Sequence, residues 1–198
     1  MKIGIQIGLA IAIVVLSYLV YDSINSKVVF DAETVRRKEI VVERLKDLRT
    51  IEMAYKSIKG AYSKDFNAML NFVKNEKMPI IKRIGDAEDS IQVARGLVKR
   101  DTMYINLMDT LFSANALKNR LAVFYLDSLP YIPFSGGEKF LIDAGEIEKN
   151  KVKVKVFEIS AAFGQIYKGM DAQNQNVKIN EGLRVGSMTE PSTNGNWE

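Results

Sequence analysis

The side chains best placed to do chemistry are three carboxylates, Asp143, Glu146 and Glu148, close behind the turn Ser135-Gly136-Gly137. Two carboxyls facing one cleft, at most ~10 Å apart with one of them desolvated, would make a glycan-hydrolase type of acid/base pair. The surrounding segment DAGEIEKNK instead reads as a charged, exposed loop, and its oxygen ligands do not recur at the spacing of a calcium loop. The chain has no histidine and no cysteine. Thiolate nucleophiles, imidazole bases, His-dependent triads, disulfides and Cys/His zinc sites therefore have no side chains to use. The expectation is a non-enzyme with no catalytic residue, no cofactor and no metal.

Other constellations point to surfaces. In KVKVKVF (Lys151–Phe157), three lysines alternate with Val152, Val154 and Val156, which predicts a strand with its valines buried and its lysines wet. Lysines on such a face could meet anionic lipid or an acidic partner, but they are the ordinary protection of an edge strand. Trp197, the single tryptophan, sits in a polar tail, so either the tail folds back to dock the ring or a partner receives it. The net charge is +4, with acidic and basic residues interleaved along most of the chain. That argues for solubility and against a nucleic-acid surface, so no nucleic acid is expected among the partners.

The elements that position these groups begin with an uncharged run, Ile3 to Tyr21, preceded by Lys2 and closed by Asp22. As a helix it spans about 28 Å, against ~30 Å of bilayer hydrocarbon. A signal peptide would have a shorter apolar stretch and small residues near a cleavage site, whereas Leu19, Val20 and Tyr21 are bulky. The run therefore reads as an uncleaved transmembrane anchor. Gly4, Gly8 and Ala12 form a small-residue row along it, with Gln6 beside them able to hydrogen-bond across a helix contact. Orientation is a contest: Lys27, Arg36, Arg37 and Lys38 follow the span and only Lys2 precedes it, which taken literally keeps the body inside. Asp22 at the boundary, and the interleaving of the later basic residues with Asp31, Glu33 and Glu39, favour an exported body. The expectation is a single-pass inner-membrane protein, N-terminus cytoplasmic and body periplasmic.

Beyond the anchor, Val41, Leu45, Leu48, Ile51, Tyr55, Ile58 and Tyr62 recur at spacings of three and four, one face of a long helix. The stripe is short for a zipper and reads as core-facing or partner-facing; Val41, Leu45, Leu48, Ile51 and Tyr55, with Trp197, are the candidates to meet a partner. Glu52 and Lys56 are expected as an exposed pair on the other side, with Glu39, Glu43, Arg44, Lys46, Asp47 and Arg49 solvating the rest. Gly60 reads as a stop, and Ser63 as the N-cap of a second helix with Phe66, Met69, Leu70 and Val73 inward. Together they predict an antiparallel helical hairpin. Strands are expected at Pro79–Ile84 and Thr102–Leu107, and a helical pattern over Asp86–Val98. Lys139–Ile142 should pair with KVKVKVF across a loop, Asp143–Asn150, in an antiparallel sheet. A short helix is expected from Ile159 to near Gly169, and an irregular tail from Asp171. The fold class is α+β, divided as anchor 1–21, helical stalk or hairpin 22–77, α+β body 78–170 and polar C-terminal segment 171–198.

RTIEMAYKSIKGAYSKDFNAML, coming after a membrane helix, resembles the start of a type IV pilin or pseudopilin. The chain departs from that pattern in having no acidic residue between Ile3 and Tyr21. The layout of one span, a helical stalk and a small α+β body is similar to the bitopic alignment proteins of pilus and type II secretion machines. The phrases VKVKVFEISA and GLRVGSMTEPSTNGNWE resemble a family of small single-span envelope proteins of Gram-negative bacteria. That resemblance implies an exported body and no activity. The functional expectation is a membrane-anchored structural or assembly component of an envelope complex, meeting the membrane and other envelope proteins, or itself, through anchor and stalk. The alternative is a tethered ligand-binding or sensory module.

Overall fold

The computed structural model describes residues 2–84, 99–172 and 176–198. The protein is α+β: a long N-terminal apolar helix followed by small antiparallel sheets and short helices. Helix α1 runs unbroken from Lys2 to Lys59, 58 residues and so about 87 Å. Asp22 does not interrupt it. Residues 3–29 are exposed on every side, and this part is long and apolar enough to cross a membrane. Phe30 is the first residue to touch the body. From Val41 the stripe seen in the sequence enters the core: Val41, Leu45, Leu48 and Ile51 are fully buried, and the stripe fades at the exposed Ile58.

Gly60 ends α1 in the left-handed region (φ 78°), where a residue without Cβ carries no steric penalty. Helix α2, Phe66–Asn75, is capped by Asp65 and not by Ser63: the Asp65 carboxylate accepts from the Ala68 N–H at 3.1 Å. A carboxylate suits the positive end of the helix better than a hydroxyl, and Ser63 instead bonds the backbone of Asp65. Phe66, Met69, Phe72 and Val73 are buried, with Phe72 taking the place expected for Leu70. Contacts to α1 join Tyr55 with Phe72 (ring centroids 4.9 Å) and Lys59 with Glu76.

Strands β1 (Lys77–Ile84) and β2 (Lys99–Asn106) form an antiparallel ribbon in the register Lys77 to Asn106 through Ile84 to Lys99. The helical pattern expected over Asp86–Val98 lies outside the described residues. Leu107 opens the short α3 (Leu107–Leu111) instead of ending β2, because its N–H bonds Glu76 O and its side chain enters the core.

The second sheet has the order β3-β4-β5, all antiparallel: β3 Leu141–Lys149, β4 Val152–Ala162, β5 Gly182–Gly186. It corrects four expectations. Asp143–Asn150 is not a loop; all but Asn150 lies in β3, and the turn is Asn150-Lys151 alone, both left-handed (φ 53° and 65°), the backbone of a type I′ hairpin. Of the valines expected to be buried, Val156 is, Val154 is half-buried and Val152 is exposed; the face of β4 that joins the main core carries Phe157, Ile159 and Ala161, in phase with Lys153 and Lys155. The far half of the hairpin reaches beyond the core, so its core-phase positions are charged and face each other as Lys155 with Glu146 and Lys153 with Glu148. The helix expected from Ile159 begins only at Phe163, as the four-residue α4 (Phe163–Ile166), with Ile159 to Ala162 held in β4. The tail is not irregular throughout: β5 pairs with β4 and buries Leu183 and Val185 against the core shared with α1.

Candidate functional site

Helix α1 divides into a half with none of the described residues against it and a half that is the spine of the body. On the free half lie Gly4, Gln6, Gly8 and Ala12, all exposed, with open space around a Cβ placed on either glycine. On the spine, Val41, Leu45, Leu48 and Ile51 have their partner within the chain: the core built from α2, α3 and the three-stranded sheet. Tyr55 is half-buried on Phe72. The stripe named for an external partner is the seat of the body itself.

Polar bonds repeat that attachment at nearly every turn. Arg37 donates to the carbonyls of Ile166 (3.2 Å) and Lys168 (3.1 Å), where α4 ends, and lies 4.7 Å over the Phe134 ring. Bonds from Arg36 and then Arg37 pull the Glu33 carboxyl down to about 2. Arg44 donates to Ser128 O and, at 3.4 Å, to Tyr131 O, and burial lowers its pKa. Asp47 takes both guanidinium ends of Arg120, whose Nε is 3.5 Å from Glu43. Burial raises the Asp47 carboxyl although Arg120 opposes it. Glu43, Arg44 and Asp47 were expected on a solvated face; Asp47 is buried, and Glu43 and Arg44 are half-buried.

Glu52 departs furthest from expectation. Its side chain is 0% exposed and forms no surface pair with Lys56, whose ammonium lies instead 3.3 Å from the Tyr62 hydroxyl. One carboxylate oxygen accepts the Ser63 N–H at 3.0 Å, and the other is buried with no partner among the described residues. Burial pushes the carboxyl up to about 7, with the Ser63 bond opposing. The signal was present in the sequence: Glu52 follows Leu48 by four and precedes Tyr55 by three, the spacing of the apolar stripe itself.

Trp197 packs on the core beside Lys38, Val42, Phe163 and Leu183, which line a cleft of about 400 Å³. Asn196 fixes it there, donating to Gly182 O at 2.8 Å and exchanging bonds with the Arg184 backbone. Gly195 lets the indole lie against its own backbone, where a Cβ would strike the ring. Glu198 closes the tail on Arg49 at 2.7 Å, which lowers its carboxyl. The chain's own body thus covers one side of the ring.

The sequence-named carboxylates are not gathered. Asp143 points to one face of β3 and Glu146 and Glu148 to the other, since side chains alternate along a strand. The Ser135 hydroxyl is buried and spent on Ile132 O and the Glu138 N–H, holding the turn before β3. Among the described residues no group of three or more His, Cys, Asp or Glu could hold a metal ion. Compared with protein-family models, characterised proteins and solved structures, the chain gives no significant match in any of the three.

Proposed function

We propose that the protein is a single-pass inner-membrane component, N-terminus cytoplasmic and body periplasmic, that serves a larger envelope assembly as a structural part without catalysing a reaction. The observation that carries this reading is the continuity of α1: the exposed apolar segment and the spine of the body are one helix, with Phe30 marking where packing begins. An exposed run of Ile, Leu and Val side chains is unfavourable in water and favourable in lipid, and a helix satisfies its own backbone there. The row Gly4, Gly8 and Ala12, with Gln6, is then available to another membrane helix.

The chain has no cysteine, so single cysteines report cleanly on topology. Ser187→Cys on the body should react with a membrane-impermeant maleimide once the outer membrane is permeabilised, without rupture of the inner membrane. Labelling only after inner-membrane rupture would reverse the orientation, and release of the chain by alkaline carbonate would remove the anchor. Crosslinking in intact cells should trap the chain with envelope proteins or with itself; a strict monomer with no partner would end the assembly reading.

A second reading, a tethered binding module, draws on the cleft beside Trp197. A ligand present at 100 times its dissociation constant stabilises by about 2.7 kcal/mol, so a thermal-shift screen of envelope metabolites separates the two.

A further inference from the structure

Where the described body first meets α1, at Phe30 and Arg37, its buried contacts lie on one side, and only further on, from Ile40 to Asp47, does it reach round the helix. Phe30, Arg37, Val41, Leu45 and Leu48 carry the contacts, in steps that keep them on one face. Two residues before Phe30 and Arg37 stand Val28 and Val35, about 160° round the helix and so on its opposite side. They are 60% and 55% exposed, and Ala32 between them is exposed too. With Asn25 one turn earlier, they make a row, Asn25, Val28, Ala32, Val35, at spacings of three, four and three. This is a short heptad seam, and among the described residues nothing covers it.

We propose that this outward face is the seat of a second copy of the chain, the two stalks running parallel and in register. Self-complementarity identifies the occupant. When a parallel pair closes on this seam, the flanking positions that meet across it lie five residues apart. Those are Ile24 with Val29 and Asp31 with Arg36. The first pair joins two side chains that are 61% and 59% exposed in the single chain, and the second joins opposite charges. Asn25 faces its own equivalent, the arrangement by which one polar seam residue fixes register. Lys27 is the present companion of Asp31; Arg36 bonds Glu33 and lies 5.2 Å over the Phe134 ring, and the Asp31 and Arg36 side chains are still 58% and 56% exposed. The parallel direction rests on the anchoring reading, because two chains inserted in one membrane with the same orientation bring their stalks together at the same height. Gly4, Gly8 and Ala12 belong to a different side: Ala12 and Val28 are sixteen residues apart, about 160° round the helix. The glycine row is left for another membrane partner.

Single cysteines in the full-length chain, oxidised in native membranes, test the pairing. Val28→Cys and Val35→Cys should give disulfide-linked dimers at least five times as efficiently as Ser23→Cys, which lies on the opposite side. Asp31→Arg should abolish most of the Val28→Cys product, and Arg36→Asp added to it should restore it. Equal trapping at Ser23 and Val28, no dimer at either valine, failure of the charge swap to restore, or products joined to a different protein would each overturn the proposal. Carbonate extraction of the same membranes judges the anchor separately: dimers at the valines from a chain that extracts would keep the pairing and refute the anchor.

Discussion

Replacing Glu52 with glutamine should change how the stability of the protein depends on pH. The carboxyl rises from an ordinary 4.5 to about 7 on folding, because the side chain is fully buried, which outweighs the opposing bond from the Ser63 N–H. Between those values the folded state holds a proton that the unfolded state has lost, so stability falls as pH rises through this window. At about 1.4 kcal/mol per pKa unit, the loss across the window is roughly 3 kcal/mol. Glu52→Gln keeps the acceptor for the Ser63 N–H and cannot ionise. Near pH 4 the neutral acid and the amide should unfold at similar urea concentrations, each with one polar group left unpaired in the core. By pH 8 the variant should be the more stable by about 3 kcal/mol, the other titrating groups being common to both chains. The measurement is urea unfolding of the detergent-solubilised full-length chain at intervals from pH 4 to pH 8. Parallel stability curves for the two chains would refute the reasoning, since they would mean that Glu52 reaches water or a cation in the folded state.

Leu45→Ala should cost about 3 kcal/mol or more in unfolding free energy, the cost of a core cavity, whereas Val35→Ala should stay within about 0.5 kcal/mol in the detergent-dispersed monomer. Asp47→Ala strands the buried Arg120 guanidinium and should cost about 3 kcal/mol, near the low end for a broken buried pair because Glu43 remains at 3.5 Å; a urea midpoint unchanged from the parent would contradict it. Lys151→Gly removes a side chain from a left-handed turn position and should raise stability by about 0.5 to 1 kcal/mol, read as a higher melting temperature. Trp197→Ala should lower stability by about 2 kcal/mol while leaving the stalk disulfides at Val28→Cys intact; an unaltered melting temperature would mean that the ring does not hold the tail.

What could be read from the sequence was whatever depends on neighbours along the chain. The membrane-length helix, the core stripe of α1, the β1–β2 strands and the β4 strand follow from periods of 3.6 and 2, and those periods need no knowledge of the body. What failed depends on where the body ends. KVKVKVF is a strand, but of its valines only Val156 is buried while Val152 lies out at the hairpin tip, and the face that becomes the main core is the lysine face continued to Phe157 and Ile159. DAGEIEKNK looked like a loop because its charges are dense, yet each of Glu146 and Glu148 stands opposite a lysine of β4. GLRVG was hidden in a tail of polar residues, since five residues with only Leu183 and Val185 apolar give too little period to see. The polar ties of α1 were invisible for another reason: Arg120 lies 73 residues from Asp47, and no local pattern announces such a pair.

The absence of any break in α1 also makes the stalk a shaft with a fixed angle. Each residue turns an α-helix by about 100° and advances it about 1.5 Å. One residue inserted between Tyr21 and Phe30 would barely move the body along the helix axis, yet it would swing the whole body about a quarter of a turn relative to the exposed apolar half of α1. Four inserted residues would bring it nearly back. The side chains of this stretch can be exchanged with little effect on the body's stability, but its length sets which flank of the body looks towards a neighbour.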